Sequence, residues 1–110
     1  MMQEGRGGRI AHTSSRVALG DGKNAFAYSV TKLGVIRLVE AASAEVRELG
    51  ITVNCILPSV IDTPANRAAM PSSDHDRWPK PAELAAVVAF LVSDDAGLIS
   101  GAAIPVYGRA

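Results

Sequence analysis

One cysteine in 110 residues leaves Cys55 without a partner for an internal disulfide and without a CxxC pair for zinc or redox exchange. That usage fits a reducing compartment, and Cys55 itself reads as a small buried apolar residue. Net charge is also missing: 11 basic and 11 acidic side chains balance with no block of one sign. The long-range field that draws nucleic acid or an anionic membrane surface is therefore absent, and neither is expected as a partner. Long apolar runs are lacking as well. The longest, Leu84 to Val92, has nine residues, about half of a membrane-spanning helix. The first ten residues, MMQEGRGGRI, place charge and glycine where an export signal carries a continuous apolar stretch. A cytoplasmic chain forming one soluble domain is the expectation. Of the two histidines, His12 is alone on its segment and His75 sits in a polar loop, so no metal site is expected.

With no internal repeat or low-complexity tract, organisation rests on periodicity and turn formers. Gly8 to Ser15 reads as a short strand ending in hydroxyl residues, followed from Val17 to Asn24 by an irregular, glycine-containing loop. From Ala25 to Leu49 apolar positions recur at Leu33, Ile36, Val39, Ala42, Val46 and Leu49, and Gly50 follows as a stop. This predicts a long helix. Ile51 to Leu57 is β-branched and nearly continuously apolar, the composition of a parallel strand buried on both faces, and Pro58 ends it. Ser59 to Lys80 carries three prolines and is expected to be a long lid-like excursion with one helical turn near Ala65 to Met70. Pro81 to Val92 predicts a second helix with proline at its start, and Ala102 to Val106 a last short strand. Strands separated by helices indicate parallel βαβ units in an α/β sheet.

Tyr28 and Lys32 stand four residues apart at the start of the long helix, so a phenol and an ammonium share one helical face. A cation beside a phenol favours the phenolate, which suits proton exchange near neutrality. Ser14 and Ser15 close the first strand, and the glycine loop after them can bring hydroxyl and phenol together. These features resemble the short-chain dehydrogenase/reductase family. Ser15 lies 13 residues before Tyr28, and Tyr28-Ser-Val-Thr-Lys32 matches the family's Tyr-x-x-x-Lys. Gly50 to Asn54, then Pro58-Ser-Val-Ile-Asp-Thr63, resemble its buried strand and its Pro-Gly-x-x-x-Thr segment. Trp78 with Pro81 to Ala85, Phe90 to Asp94, Ile99 to Gly101 and Val106 to Gly108 resemble its closing helix and strand. The likeness runs from about Gly8 to Gly108.

The resemblance implies the C-terminal portion of a Rossmann-type sheet, about three strands with flanking helices, and NAD or NADP as cofactor. It implies a small-molecule carbonyl or alcohol as substrate and a homo-oligomer in the full-length form. It makes Tyr28 the general acid, gives Lys32 the nicotinamide ribose hydroxyls, and sets Ser15 against the substrate oxygen. Tyr28, Lys32, Pro58, Ser59, Val60, Ile61 and Thr63 become the cofactor-binding residues, with Ser14 a supporting hydroxyl. Ser59 departs from the family, which has glycine there. No glycine-rich first turn is read between a first strand and a helix, since Gly5, Gly7 and Gly8 precede the first strand. Residues 1–110 are thus expected to form one partial, catalytic-half domain, with 59–80 as substrate lid. Met1 to Gly7 resembles the end of a preceding helix, and the chain alone is expected neither to bind NAD(P) tightly nor to turn over.

An alternative is a non-catalytic subunit or interaction module using the helix 25–49, which carries apolar and small residues on more than one face. A serine hydrolase built on Ser15, His75 and an Asp is the weaker reading, because Gly-x-Ser-x-Gly is absent.

Overall fold

The computed structural model describes residues 7–110, so the expectation for Met1 to Gly7 lies almost wholly outside it. Three strands form a parallel sheet in the order β1 (Gly8–Thr13), β2 (Ile51–Pro58), β3 (Ala103–Val106). Helix α1 (Phe26–Val46) connects the first two strands. A short α2 (Pro64–Ala69) and α3 (Pro81–Leu91) lie between the second and third.

Every residue of β2 is buried, as its uninterrupted apolar run requires of a strand covered on both faces. Side chains alternate. Ile51, Val53, Cys55 and Leu57 meet Ile36 and Val39 of α1 on one face, while Ile56 meets Leu84 and Leu91 of α3 on the other. Burial pushes the Cys55 thiol above its ordinary range, aided by the negative charge of Glu40. Pro105 costs β3 nothing, because its missing N–H can face the strand's unpaired side.

Among the described residues, the buried side-chain polar atoms of this interior are paired, apart from the Thr52 hydroxyl. Asn54, fully buried, donates from Nδ2 to the Ile99 carbonyl at 2.9 Å and accepts the Ala102 N–H at Oδ1 at 3.0 Å. Its side chain thereby acts as a rung that holds the loop before β3 against β2. Ser43 of α1 meets Ser100 at 2.6 Å, and the Val53 N–H donates to the same Ser100 Oγ at 3.1 Å. Gly101 makes this packing possible: its φ is +77°, and a Cβ there would stand 3.2 Å from Ser43 Oγ.

Several expected boundaries move. β1 stops at Thr13 instead of Ser15, because Ser15 caps a 3-10 turn over Arg16–Leu19 where an irregular loop was expected. Gly50 does end the helical segment, at φ +70°, after a 3-10 turn over Arg47–Leu49. Leu33 and Leu49, expected on the buried stripe, are exposed. The stripe that meets the sheet contains Ile36, Val39 and Ser43, and Leu33 and Leu49 lie off it, toward the two ends of the helical segment.

Candidate active site

All three parallel strands deliver their carboxyl ends to one edge, where open α/β sheets place ligands. The first turns of α1 return to that same edge. Ser14 follows β1 directly and fixes the junction: its Oγ donates to the Lys32 carbonyl at 2.7 Å, and its N–H to the Ile56 carbonyl at 2.8 Å. The Lys32 ammonium in turn donates to the Thr13 carbonyl at 3.4 Å. Helix and strand end thus clasp each other twice around one residue. Lys32 Nζ stands 5.7 Å from the centroid of the Tyr28 ring, within cation–π range, and Tyr28 is 51% exposed. The four-residue spacing therefore does bring phenol and ammonium together.

Ser15 is buried to 8% exposure and accepts the Val17 N–H at 3.3 Å. A hydroxyl has one hydrogen and two lone pairs, so Ser15 keeps a donor and an acceptor unspent. Within the described residues no hydrogen bond joins Ser15 to Tyr28. The structure places both at the carboxyl edge without linking them.

On the β2 side, Pro58 is the buried last residue of the strand. Ser59 is unstrained. Asn24 is the one non-glycine residue with positive φ among the described residues, so serine costs this backbone nothing that glycine would avoid. Ser59 Oγ donates to the Tyr107 carbonyl at 2.8 Å, tying the exit of β2 to the exit of β3. Val60 is half-buried. Ile61 turns its side chain into the α3 core, and its carbonyl accepts from Asn66 Nδ2 at 2.8 Å. Thr63 caps α2 by accepting the Asn66 N–H at 3.2 Å, leaving its own hydroxyl hydrogen free.

The excursion beyond is pinned at several points. Arg67 Nε and Nη2 donate to Asp62 at 2.6 and 2.9 Å, and this contact holds the Asp62 carboxyl below its ordinary 3.8. His75 Nε2 pairs with the Met70 carbonyl at 2.7 Å, with its ring 4.6 Å from that of Trp78. Trp78 is buried, with its remaining surface bordering a cavity of about 360 Å³ shared with Lys80, Glu83, Val106 and Gly108. Sequence reasoning missed Arg16 and Tyr107. The Arg16 guanidinium lies 5.1 Å from the Tyr107 ring centroid and donates to the Ala110 carbonyl at 3.1 Å. No spacing signal could reveal a pair 91 positions apart.

Comparison with known proteins is consistent across the chain. The family model described as enoyl-(acyl carrier protein) reductase matches residues 1–108. The 3-oxoacyl-[acyl-carrier-protein] reductase MabA of Mycobacterium tuberculosis is 36% identical over 118 residues, covering 97% of this chain and 47% of the relative. Levodione reductase of Leifsonia aquatica is 30% identical over 98% of this chain and 46% of its own length. Among solved structures, a short-chain type dehydrogenase/reductase of Mycobacterium ulcerans superposes with a TM-score of 0.89 at 30% identity, over 98% of this chain and 43% of that one. A 3-oxoacyl-[acyl-carrier protein] reductase of Brucella melitensis with bound NAD gives 0.83 at 31% identity. The chain spans less than half the length of these relatives.

Proposed function

Because this chain belongs to the short-chain dehydrogenase/reductase family, we propose that its carboxyl edge is the reacting half of a nicotinamide-dependent site that interconverts a carbonyl and an alcohol. The observation that carries this reading is the clasp of Lys32 by Thr13 and Ser14, which sets its ammonium beside the Tyr28 ring. In this role Tyr28 gives its phenolic proton to the substrate oxygen as negative charge develops there, and takes a proton back in the alcohol-to-carbonyl direction. Lys32 stabilises the phenolate that remains. Ser15 spends its free hydroxyl hydrogen on the same oxygen.

The donor set fits NAD or NADP without selecting between them. No carboxylate of the described residues lies within 4.0 Å of the Lys32 ammonium, which leaves it suited to ribose hydroxyls. The unspent Thr63 hydrogen suits a carboxamide oxygen. Tyr28, Pro58, Ser59, Val60 and Ile61 line the rest of that cradle, with Ser59 contributing backbone groups because its hydroxyl hydrogen is committed to Tyr107. When bound, the nicotinamide supplies or accepts a hydride. Residues 59–80 act as the substrate lid, and the substrate is a small carbonyl or alcohol. The described residues supply reacting groups without a glycine-rich turn between strand and helix to cradle a pyrophosphate, so neither tight NAD(P) binding nor turnover is expected of the chain alone. Saturable quenching by NADPH, with an activity lost in Tyr28→Phe, would overturn that expectation.

The test of the site grafts this chain in place of the matching residues of the Enterobacter cloacae acetoin dehydrogenase, which it covers to 44% of that chain. Turnover is followed by nicotinamide absorbance. Tyr28→Phe should lower kcat by about 10²–10⁴-fold, the usual contribution of a positioned acid; an active graft indifferent to that change sinks the proposal.

The reading as an interaction module, or as one subunit of a homo-oligomer, has its own support. Phe26 is 83% exposed, and Val30, Leu33 and Leu38 are exposed along the same helix. Sedimentation with and without a full-length homologous subunit decides it: mixed oligomers support the module, and separate species count against it.

A further inference from the structure

At the opposite, amino edge of the sheet lies a cavity of about 380 Å³ lined by Arg9, Arg47, Gly50, Thr52, Gly97 and Ser100, among others. That volume is in the range of small-molecule sites. Arg9 and Thr52 are register partners on β1 and β2, so their side chains project side by side on one face. Arg47 approaches from the turn that ends the α1 segment.

Arg9 has five N–H groups. Its Nη1 donates to the Gly8 carbonyl at 2.9 Å and the Gly50 carbonyl at 3.4 Å, and its Nε to the Ser93 carbonyl at 3.4 Å. Among the described residues, neither hydrogen of Nη2 has a partner. That nitrogen stands against Gly97, where a Cβ would come within 3.3 Å of it, so it borders the cavity. Three carbonyls thus hold the guanidinium in place before any ligand arrives, which removes much of the ordering cost of binding. No carboxylate of the described residues comes within 4.0 Å of Arg9 or Arg47, although Asp94 and Asp95 lie in the adjoining turn. Thr52 is buried to 6% exposure, and its Oγ1 is the one buried side-chain polar atom without a partner among the described residues. Such an orphan calls for an explanation.

We propose that this amino-edge cavity binds the phosphoryl group of a small anion, held by Arg9 Nη2, Arg47 and the Thr52 hydroxyl. Donors that converge from two strands and a helix end match an oxyanion that accepts in every direction, better than a planar carboxylate does. The site lies across the sheet from Ser15, Tyr28 and Lys32, and its occupancy does not depend on their chemistry.

The test is an amide chemical-shift titration of the 110-residue chain with inorganic phosphate and, separately, glycerol 3-phosphate, against chloride at matched ionic strength. Saturable shifts at Gly50, Gly97 and Ser100 are expected, with tighter binding of the ester if the rest of the cavity takes its organic part. Arg47→Gln should weaken binding about tenfold, the usual weight of one charge-assisted contact, and Thr52→Val about fivefold. Unshifted amides near Ser14 and Thr63 confirm that each variant stays folded. No saturable response up to about 20 mM, well above the range of millimolar affinity, overturns the proposal. So do equal shifts with chloride, or wild-type affinity in a folded Arg9→Gln, Arg47→Gln double variant.

Discussion

The middle of β2 and its carboxyl edge treat polar groups in opposite ways. In the middle, Asn54 spends Nδ2 on Ile99 and Oδ1 on Ala102, and Ser43, Ser100 and Val53 close a small network. At the edge, Ser15 and Thr63 each accept one backbone N–H and keep a hydrogen in hand. In the middle each of these side-chain polar atoms has a protein partner and holds the fold together, whereas a hydroxyl hydrogen left without one on a rigid frame is what a ligand can use.

The contrast can be broken from either side. The largest effect is expected in the grafted enzyme. There Ser15→Ala, which removes one stabilising donor, should cost about 10²–10³-fold in kcat with only about 1 kcal/mol of stability lost with the cap on Val17; a larger loss of stability with intact kcat would reverse the assignment. Next comes Asn54→Ala, which orphans a buried N–H and a buried carbonyl and empties part of the core. It should lower the unfolding free energy by about 2–4 kcal/mol, read from urea melts. Ser43→Ala, which leaves Ser100 with its Val53 contact, should cost about 1 kcal/mol in the same assay.

The smallest effects concern titration. Cys55, raised by burial, stays a neutral thiol, so its alkylation by iodoacetamide at pH 8 should track global unfolding and not local exposure. Asp62 is lowered by Arg67, so its contribution to anchoring the segment 59–80 is full above about pH 4, the ordinary carboxylate range, and fades as pH falls through its depressed value. The side-chain carboxyl shift of Asp62, followed by NMR from pH 7 to 2, should therefore titrate below the ordinary carboxylate range, and more so than in Arg67→Gln; an Asp62 midpoint unmoved by that change would contradict the ion pair.

Much of this frame was legible in the residues. The continuous apolar run of Ile51–Leu57 fixed a doubly covered parallel strand, and Gly50 and Pro81 marked helix ends, because these signals act within a few positions of themselves. The Tyr28–Lys32 proximity followed from helical period alone. What escaped depends on distant partners. That Ser15 caps a turn, that Ser59 reaches Tyr107, and that Arg16 stacks on Tyr107 are facts of tertiary placement. The exposure of Leu33 and Leu49 escaped for a related reason: periodicity says which residues share a stripe, and not how far the sheet extends beneath it.

The parallel pairing also governs how this chain reaches its fold. Gly8 pairs with Ile51, 43 positions on, and Cys55 with Ala103, 48 positions on. The central strand has no hairpin partner, so it waits for both crossovers to close before its backbone is satisfied. Folding should be slow for a chain of this length. During that wait Ile51 to Leu57, uncharged and β-branched, is the segment most open to pairing with another copy of itself. The strand that the finished molecule buries most completely is therefore the one that the newly made chain most needs to have shielded.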